Sequence, residues 1–286
     1  MPVNRNPTVR QRRLARMLKE LRTAKRLTIA QAAGQLACAE SKISRIEAAQ
    51  SGIRLVDLRL LLDLYEVPDP ATRADLEALS REGRLRGWWD RYSDTLSPLY
   101  ADYIALEADA SDAYSIETLL VPGLLQTEDY TRAVVRAQIA DATPEQVETL
   151  TKVRQERRSV LTRERPLRMW AVLSESVLKH QIGGPAVMRS QLQFLAAASN
   201  DPHVNIQILP EASDVHAALF GPVVVLGFPG TTETDVAYVD SLLSTLYIEE
   251  PTEVFRYTEL FRRALAESLP RSESIAVIEH LAEGKI

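Results

Sequence analysis

The sequence predicts a multidomain protein, with an all-α helix-turn-helix N-terminal domain followed by a mixed α/β (α+β) C-terminal domain. Three observations predict it. The chain has 286 residues, room for roughly two domains. Its charge is split: residues 1–65 hold thirteen Lys or Arg against five acids, 13 − 5 = +8, whereas the remainder holds 21 against 34, or −13. Hydrophobic periodicity is helical throughout the basic part and becomes mixed, with β-like apolar runs, from about Leu99.

The elements follow in order. Residues 9–24 predict a helix, because Leu14, Met17, Leu18 and Leu21 form one apolar stripe. Arg12, Arg13, Arg16, Lys19 and Lys25 fall mostly off it. Thr28 is placed to cap a second helix, "IAQAAGQL", which buries Ile29, Ala32, Ala33 and Leu36. After the tight connection "AC", a third helix runs from about Ala39 to Ala49 with Ile43 and Ile46 facing inward. Gly52 marks a loop. "LVDLRLLLDLYEV" is a fourth helix, apolar at Leu55, Leu58, Leu61, Leu62 and Tyr65. The prolines of "VPDPATR" close the first domain, residues 1–70. Residues 71–98 read as a helical linker carrying Trp88 and Trp89, whose expected role is packing.

Residues 99–286 form the second domain. "LYADYIALEADA" reads as a helix and "AYSIETLLV" as a strand ended by Pro122–Gly123. "TEDYTRAVVRAQIA" and "TPEQVETLTKVRQERRSVLTRE" read as helices capped by Thr127 and Thr143, with Pro144 at the favoured first position of the latter. "LRMWAVLS", "VNIQILP", "GPVVVLGFPG" and "DVAYVD" are strand candidates. "ESVLKHQI", "AVMRSQLQFLAAAS", "TEVFRYTELFRRALAESL" and "SESIAVIEHLAEG" are helix candidates. Such interleaving predicts an α/β or α+β domain.

Composition excludes several classes of function. Hydrophobic content of 45% and charged content of 26% are those of a globular protein with a buried core. No run of eighteen apolar residues is present, so no membrane association is expected. The basic N-terminus lacks the apolar core of a secretory signal. The single cysteine, Cys38, makes neither an internal disulfide nor a multi-cysteine zinc site. These features together predict a cytoplasmic protein. His180, His203, His216 and His280 lack the spacing of H-E-x-x-H, and neither a G-x-S-x-G elbow nor a P-loop occurs. No enzyme, metal or cofactor is therefore expected. Glu249, Glu250 and Glu253 read as complements to a helix dipole. "VRQERR", Val153 to Arg158, reads as a solvated helix face. "VPGLLQT" is the sharpest candidate for a protein interface, if its apolar residues are exposed.

The basic domain carries the positive argument. Short helices with a tight turn between the second and third describe a helix-turn-helix unit, which lays its third helix in the DNA major groove. Ser41, Ser44, Arg45 and Ala48 share one face of that helix, opposite Ile43 and Ile46. Arg45 suits two parallel hydrogen bonds to guanine, and Ser41 bonds to either kind of base edge. Glu40 either accepts from a cytosine amino group or complements the helix dipole, and the second is the stronger reading. Lys42 points sideways, towards phosphate. Ala39 stands where a polar cap is expected, a loss of about 1 kcal/mol.

The segment "RLTIAQAAGQLACAESKISRIEAAQSG" resembles the helix-turn-helix of the XRE-type regulators, which include phage Cro and repressor proteins. The pattern S-x-I-S-R-I-E, Ser41 to Glu47, carries the resemblance most strongly. It implies Glu40, Ser41 and Arg45 at base-facing positions, Lys42 and Ser44 beside the backbone, and a pair, Arg22 with Glu47, tying helix one to the end of helix three. As an exposed ion pair this tie would set the angle of the reading helix and add only ~0–1 kcal/mol. Ile29 replaces the glutamine often found after the cap of helix two, so one phosphate contact is missing. "VPGLLQTEDYTRAV", "VRQERRSVL", "NIQILP" and "EVFRYTELFRRALAESLPRSESIAVI" resemble the long C-terminal region of a mainly actinobacterial, antitoxin-like group of such regulators. That resemblance implies no enzymatic activity and names no ligand.

The expected function is a sequence-specific regulator that binds double-stranded DNA as a homodimer on a near-palindromic operator. Residues 99–286 would dimerise and sense a ligand or partner, such as an unidentified small molecule. The other reading is an antitoxin-like interaction protein that binds a small partner protein and autoregulates its own operon.

Overall fold

The computed structural model describes residues 9–82, 87–213, 221–229, 235–240 and 245–284. The chain forms two compact units that divide after Asp90.

The first unit contains α1 (Val9–Ala24), α2 (Ile29–Gln35), α3 (Glu40–Glu47), α4 (Leu55–Leu64) and α5 (Pro70–Glu82). One core joins them, with Leu18, Ala32, Ile43, Leu58, Leu61, Leu62 and Tyr65 at its centre. Leu76 and Leu79 of α5 are buried in the same core. The start of the stretch read as a linker is therefore a packed helix of this unit. Trp88 and Trp89 follow in a short 3-10 helix, Trp88–Tyr92, half-buried and edge-to-face with centroids 5.8 Å apart.

α1 to α4 all end alike. Arg26, Ala37, Ala49 and Glu66 adopt φ of 56°, 46°, 57° and 50°. The next amide in each case bonds back into the helix: Leu27 to the Arg22 carbonyl, Cys38 to Ala33, Gln50 to Arg45, and Val67 to Leu62. This 6→1 closure turns the chain sharply and satisfies carbonyls that the helix end leaves open. None of the four residues is glycine, so each left-handed turn carries a steric cost of about 1–2 kcal/mol. The turn at Ala37 is the tight connection between α2 and α3, and Cys38 packs half-buried against the core just after it. Thr28 caps α2 in a reciprocal box with Gln31, whereas Ala39 starts α3 with no side-chain cap bond.

The second unit begins with α6 (Pro98–Asp109), β1 (Asp112–Glu117) and a 3-10 turn, Gly123–Leu125. α7 (Glu128–Gln138), α8 (Pro144–Arg157) and α9 (Ser159–Thr162) lead to β2 (Arg168–Ser174). α10 (Glu175–Lys179) and α11 (Pro185–Ala198) lead to β3 (Val204–Leu209). β4 (Val223–Gly227), β5 (Val236–Asp240) and β6 (Thr245–Ile248) follow, then α12 (Pro251–Glu267) and α13 (Arg271–Ala282). The six strands form one mixed sheet in the order β3-β2-β1-β4-β5-β6. β1, β2 and β3 are parallel, and β4, β5 and β6 add on antiparallel. Helical crossovers join the parallel strands, as parallel pairing requires. The outcome is the predicted layout, an all-α unit followed by an α+β unit.

Alternation along β1 assigns its side chains to two faces. Ile116 packs with Val172, Val223, Phe261 and Ala264, so this face is covered by α12. Tyr114 stacks on Trp170 of β2 at 5.1 Å on the same side. Ser115, Val224 and Tyr238 stand in register on the opposite face, where Tyr103 of α6 meets Tyr238 at 4.2 Å.

Two expectations from the sequence are corrected here. "VPGLLQT" is not an exposed apolar surface: Val121, Leu124 and Leu125 are buried. Glutamines hold its backbone from within. Gln126 donates to the Val121 carbonyl at 2.8 Å, while Gln191 accepts from the Thr127 amide and donates to the Leu125 carbonyl, both at 2.7 Å. "VRQERR" is not a solvated face either. Arg157 is buried in a bidentate pair with Glu107, and Arg158 lies over the ring of Phe194 at 4.5 Å.

Candidate nucleic-acid interface

α3 presents Glu40, Ser41, Ser44, Arg45 and Ala48 to solvent while Ile43 and Ile46 anchor it in the core. Apolar residues three apart on one side leave a polar strip on the other, which is the geometry that enters a major groove. Arg45 donates through Nε to the Ser41 carbonyl at 3.3 Å. Among the described residues its Nη atoms have no partner, so its fork is available for a base edge.

Arg22 and Glu47 meet as the resemblance implied, but their setting differs. Nε to Oε1 is 2.6 Å and Nη2 to Oε2 is 2.8 Å, and Arg22 also donates to the Leu27 carbonyl at 2.6 Å. The two side chains are only 10% and 5% exposed. This tie between α1 and the last turn of α3 is thus a buried pair, not a surface one. Tyr65 lies buried beside it; burial, reinforced by the Glu47 charge, pushes its phenol up to about 12.

Lys42 is also tethered. Its Nζ donates to Asp57 Oδ2 at 2.9 Å, and the same carboxylate accepts from Arg54 Nε at 3.0 Å and Nη2 at 2.8 Å. The Arg54 bonds first, then Lys42, hold the Asp57 carboxyl below the ordinary range against its burial. Neither Arg54 nor Asp57 emerged from the sequence reading. One signal was present: Asp57 precedes Leu61 by four residues, so helical spacing puts an acid on the inward stripe of α4.

In the second unit, Glu117 closes β1. Burial alone pushes its carboxyl up to about 8. Among the described residues no donor or cation bonds it, although its charge bears on the phenols of Tyr103 and Tyr130. A carboxyl that stays protonated in the fold up to about pH 8, while the unfolded chain releases the proton near the ordinary 4.5, makes stability fall as pH rises between those values. Glu117→Gln should flatten that slope in denaturant titrations at pH 5 and pH 8; an unchanged slope would assign it to other groups. His180 faces the Leu119 carbonyl at 3.4 Å, and His216 lies outside the described residues. Among the described residues no three His, Cys, Asp or Glu gather as a metal site, and no helix is long and apolar enough to cross a membrane.

Comparison with known proteins adds two findings. Residues 13–76 match a family model described as a helix-turn-helix domain. Residues 100–280 match the model described as a domain of unknown function, DUF5753. No curated protein and no solved structure matches the chain.

Proposed function

The chain belongs to the DUF5753 family and carries a helix-turn-helix domain ahead of that region, and on this basis we propose that it is a sequence-specific transcriptional regulator of the XRE type. The observation that carries the proposal is the exposed strip Ser41, Ser44 and Arg45 on a helix locked from behind by the buried Arg22–Glu47 pair. Arg45 reads guanine with its free fork, and Ser41 and Glu40 meet neighbouring base edges. The target places the protein in the cytoplasm. One short helix reads too few bases for a useful specificity, so two copies bind half-sites about one helical turn apart. The second unit supplies the dimer contact and receives the signal, without catalysing a reaction.

Genome-wide mapping of bound DNA supplies the operator for the test. Arg45→Ala should lower affinity for that operator roughly 10- to 100-fold, the worth of one bidentate base contact. Affinity for a random duplex at the same salt should change little. Equal losses on both duplexes would remove Arg45 from base reading.

A further inference from the structure

We infer that Asp57 is a positioning residue for the DNA interface, and that the cations it holds, Arg54 and Lys42, grip a backbone phosphate beside the reading helix. The inference rests on the DNA-binding reading above.

The geometry is that of a clamp assembled from two elements. Lys42 projects from the first turn of α3, and Arg54 is the residue immediately before α4. One carboxylate draws both to a single point through three bonds of 2.8–3.0 Å. The acid itself is hidden, its side chain 6% exposed, whereas Arg54 remains 73% exposed and Lys42 34% exposed. Asp57 therefore presents almost no carboxylate surface to an approaching polyanion, and the cluster keeps a net charge of +1. Each cation retains donors that Asp57 does not use: Nη1 of Arg54, and two of the three ammonium hydrogens of Lys42. Lys42 is next in sequence to Ser41 on the exposed strip, so those donors flank the base-reading residues.

This arrangement serves a phosphate contact in a way free lysines and arginines do not. A long cationic side chain loses rotamer freedom when it grips a ligand. Here Asp57 has already restricted both side chains in the folded protein. The arrangement also reverses a simple expectation of sign: deleting a negative charge from a DNA-binding face ordinarily strengthens binding, because it adds to the field that attracts phosphate.

The test is Asp57→Asn in the full chain, titrated with the operator and with a random duplex over a salt series. The positioning role predicts about a five- to tenfold loss of affinity on both duplexes, despite one more net positive charge. Arg54→Ala, which removes an exposed side chain and leaves Lys42 on Asp57, should weaken both duplexes. It should also lower the slope of log affinity against log salt by about 0.9. Added to Arg54→Ala, Asp57→Asn should cost less than half of what it costs alone, because its main client is gone. Tighter binding by Asp57→Asn, an unchanged slope for Arg54→Ala, or fully additive losses would each overturn the inference. If Asp57→Asn fails to fold, the Arg54→Ala slope decides by itself. Arg45→Ala separates the two levels: if it abolishes operator preference while Asp57→Asn tightens binding, the clamp is wrong and the DNA reading stands.

Discussion

Glu107→Ala should destabilise the second unit by about 3–5 kcal/mol, the cost of stranding a buried charge. Its partner Arg157 is 6% exposed and Glu107 is 3% exposed. Arg157 donates through Nε to Oε2 at 2.8 Å and through Nη2 to Oε1 at 2.7 Å, and its Nη1 meets the Tyr100 hydroxyl at 2.6 Å. The guanidinium also lies 5.1 Å from the centre of the Tyr103 ring. The site is built around this side chain. A Cβ on Gly123 would stand 3.3 Å from Nη1, so a residue without a side chain lets the backbone approach. Among the described residues, removing the carboxylate leaves a permanent cation bonded to one phenol and no countercharge. Such a loss is a large fraction of the ~5–15 kcal/mol that holds a typical domain together. Denaturant unfolding of the full chain, followed at the second unit, measures it. The double variant Glu107→Leu with Arg157→Met should recover most of the loss, since well-packed apolar groups replace a buried ion pair at little cost. A loss below about 1 kcal/mol for Glu107→Ala would mean that the pair behaves as a surface one.

Glu47→Ala should cost the first unit about 3 kcal/mol, at the lower end for a broken buried pair. Among the described residues, Arg22 would keep only the Leu27 carbonyl as a partner. In a small domain a loss of that size lowers Tm by roughly 15 °C. The same change unties the last turn of α3 from α1, so operator affinity should fall together with stability. Amide hydrogen exchange in the full chain checks the first half: amides of α3 should exchange faster while those of β1 and β2 keep their protection. Unchanged protection of α3 would return the pair to the minor, angle-setting role that an exposed geometry would imply.

Much of the architecture was legible because its causes are local. Apolar residues three and four apart define α1 to α4, Thr28 marks the start of α2, and runs of β-branched residues mark β3 and β4. The strip on α3 was legible too, since Ile43 and Ile46 determine which way Ser41 and Arg45 must point. The missing parts depend on partners far away in the chain. "VRQERR" looks solvated because the countercharge of Arg157 sits at Glu107, on a different helix. "VPGLLQT" looks like an apolar surface until Gln191, from α11, closes on its backbone. Lys42 looks free until Asp57 is seen on the inward stripe of α4. β6 has four residues, too few for alternation to register as a strand.

The central place of β1 has a consequence in time. One edge of β1 bonds to β2, and the other bonds to β4 through a register that runs from Asp112 opposite Gly227 to Ile116 opposite Val223. At translation rates of about 5–20 residues per second, the ribosome delivers the second of these partners roughly 3 to 11 seconds after the first. The core of the first unit is complete once Leu79 has emerged. Each newly made chain therefore carries a finished reading head while the sheet that follows it is still open at its middle strand. If pairing of copies resides in that sheet domain, as proposed, the nascent molecule is a single-headed, weakly discriminating DNA binder. It gains its full discrimination only when β4, β5 and β6 have closed the sheet and copies can pair.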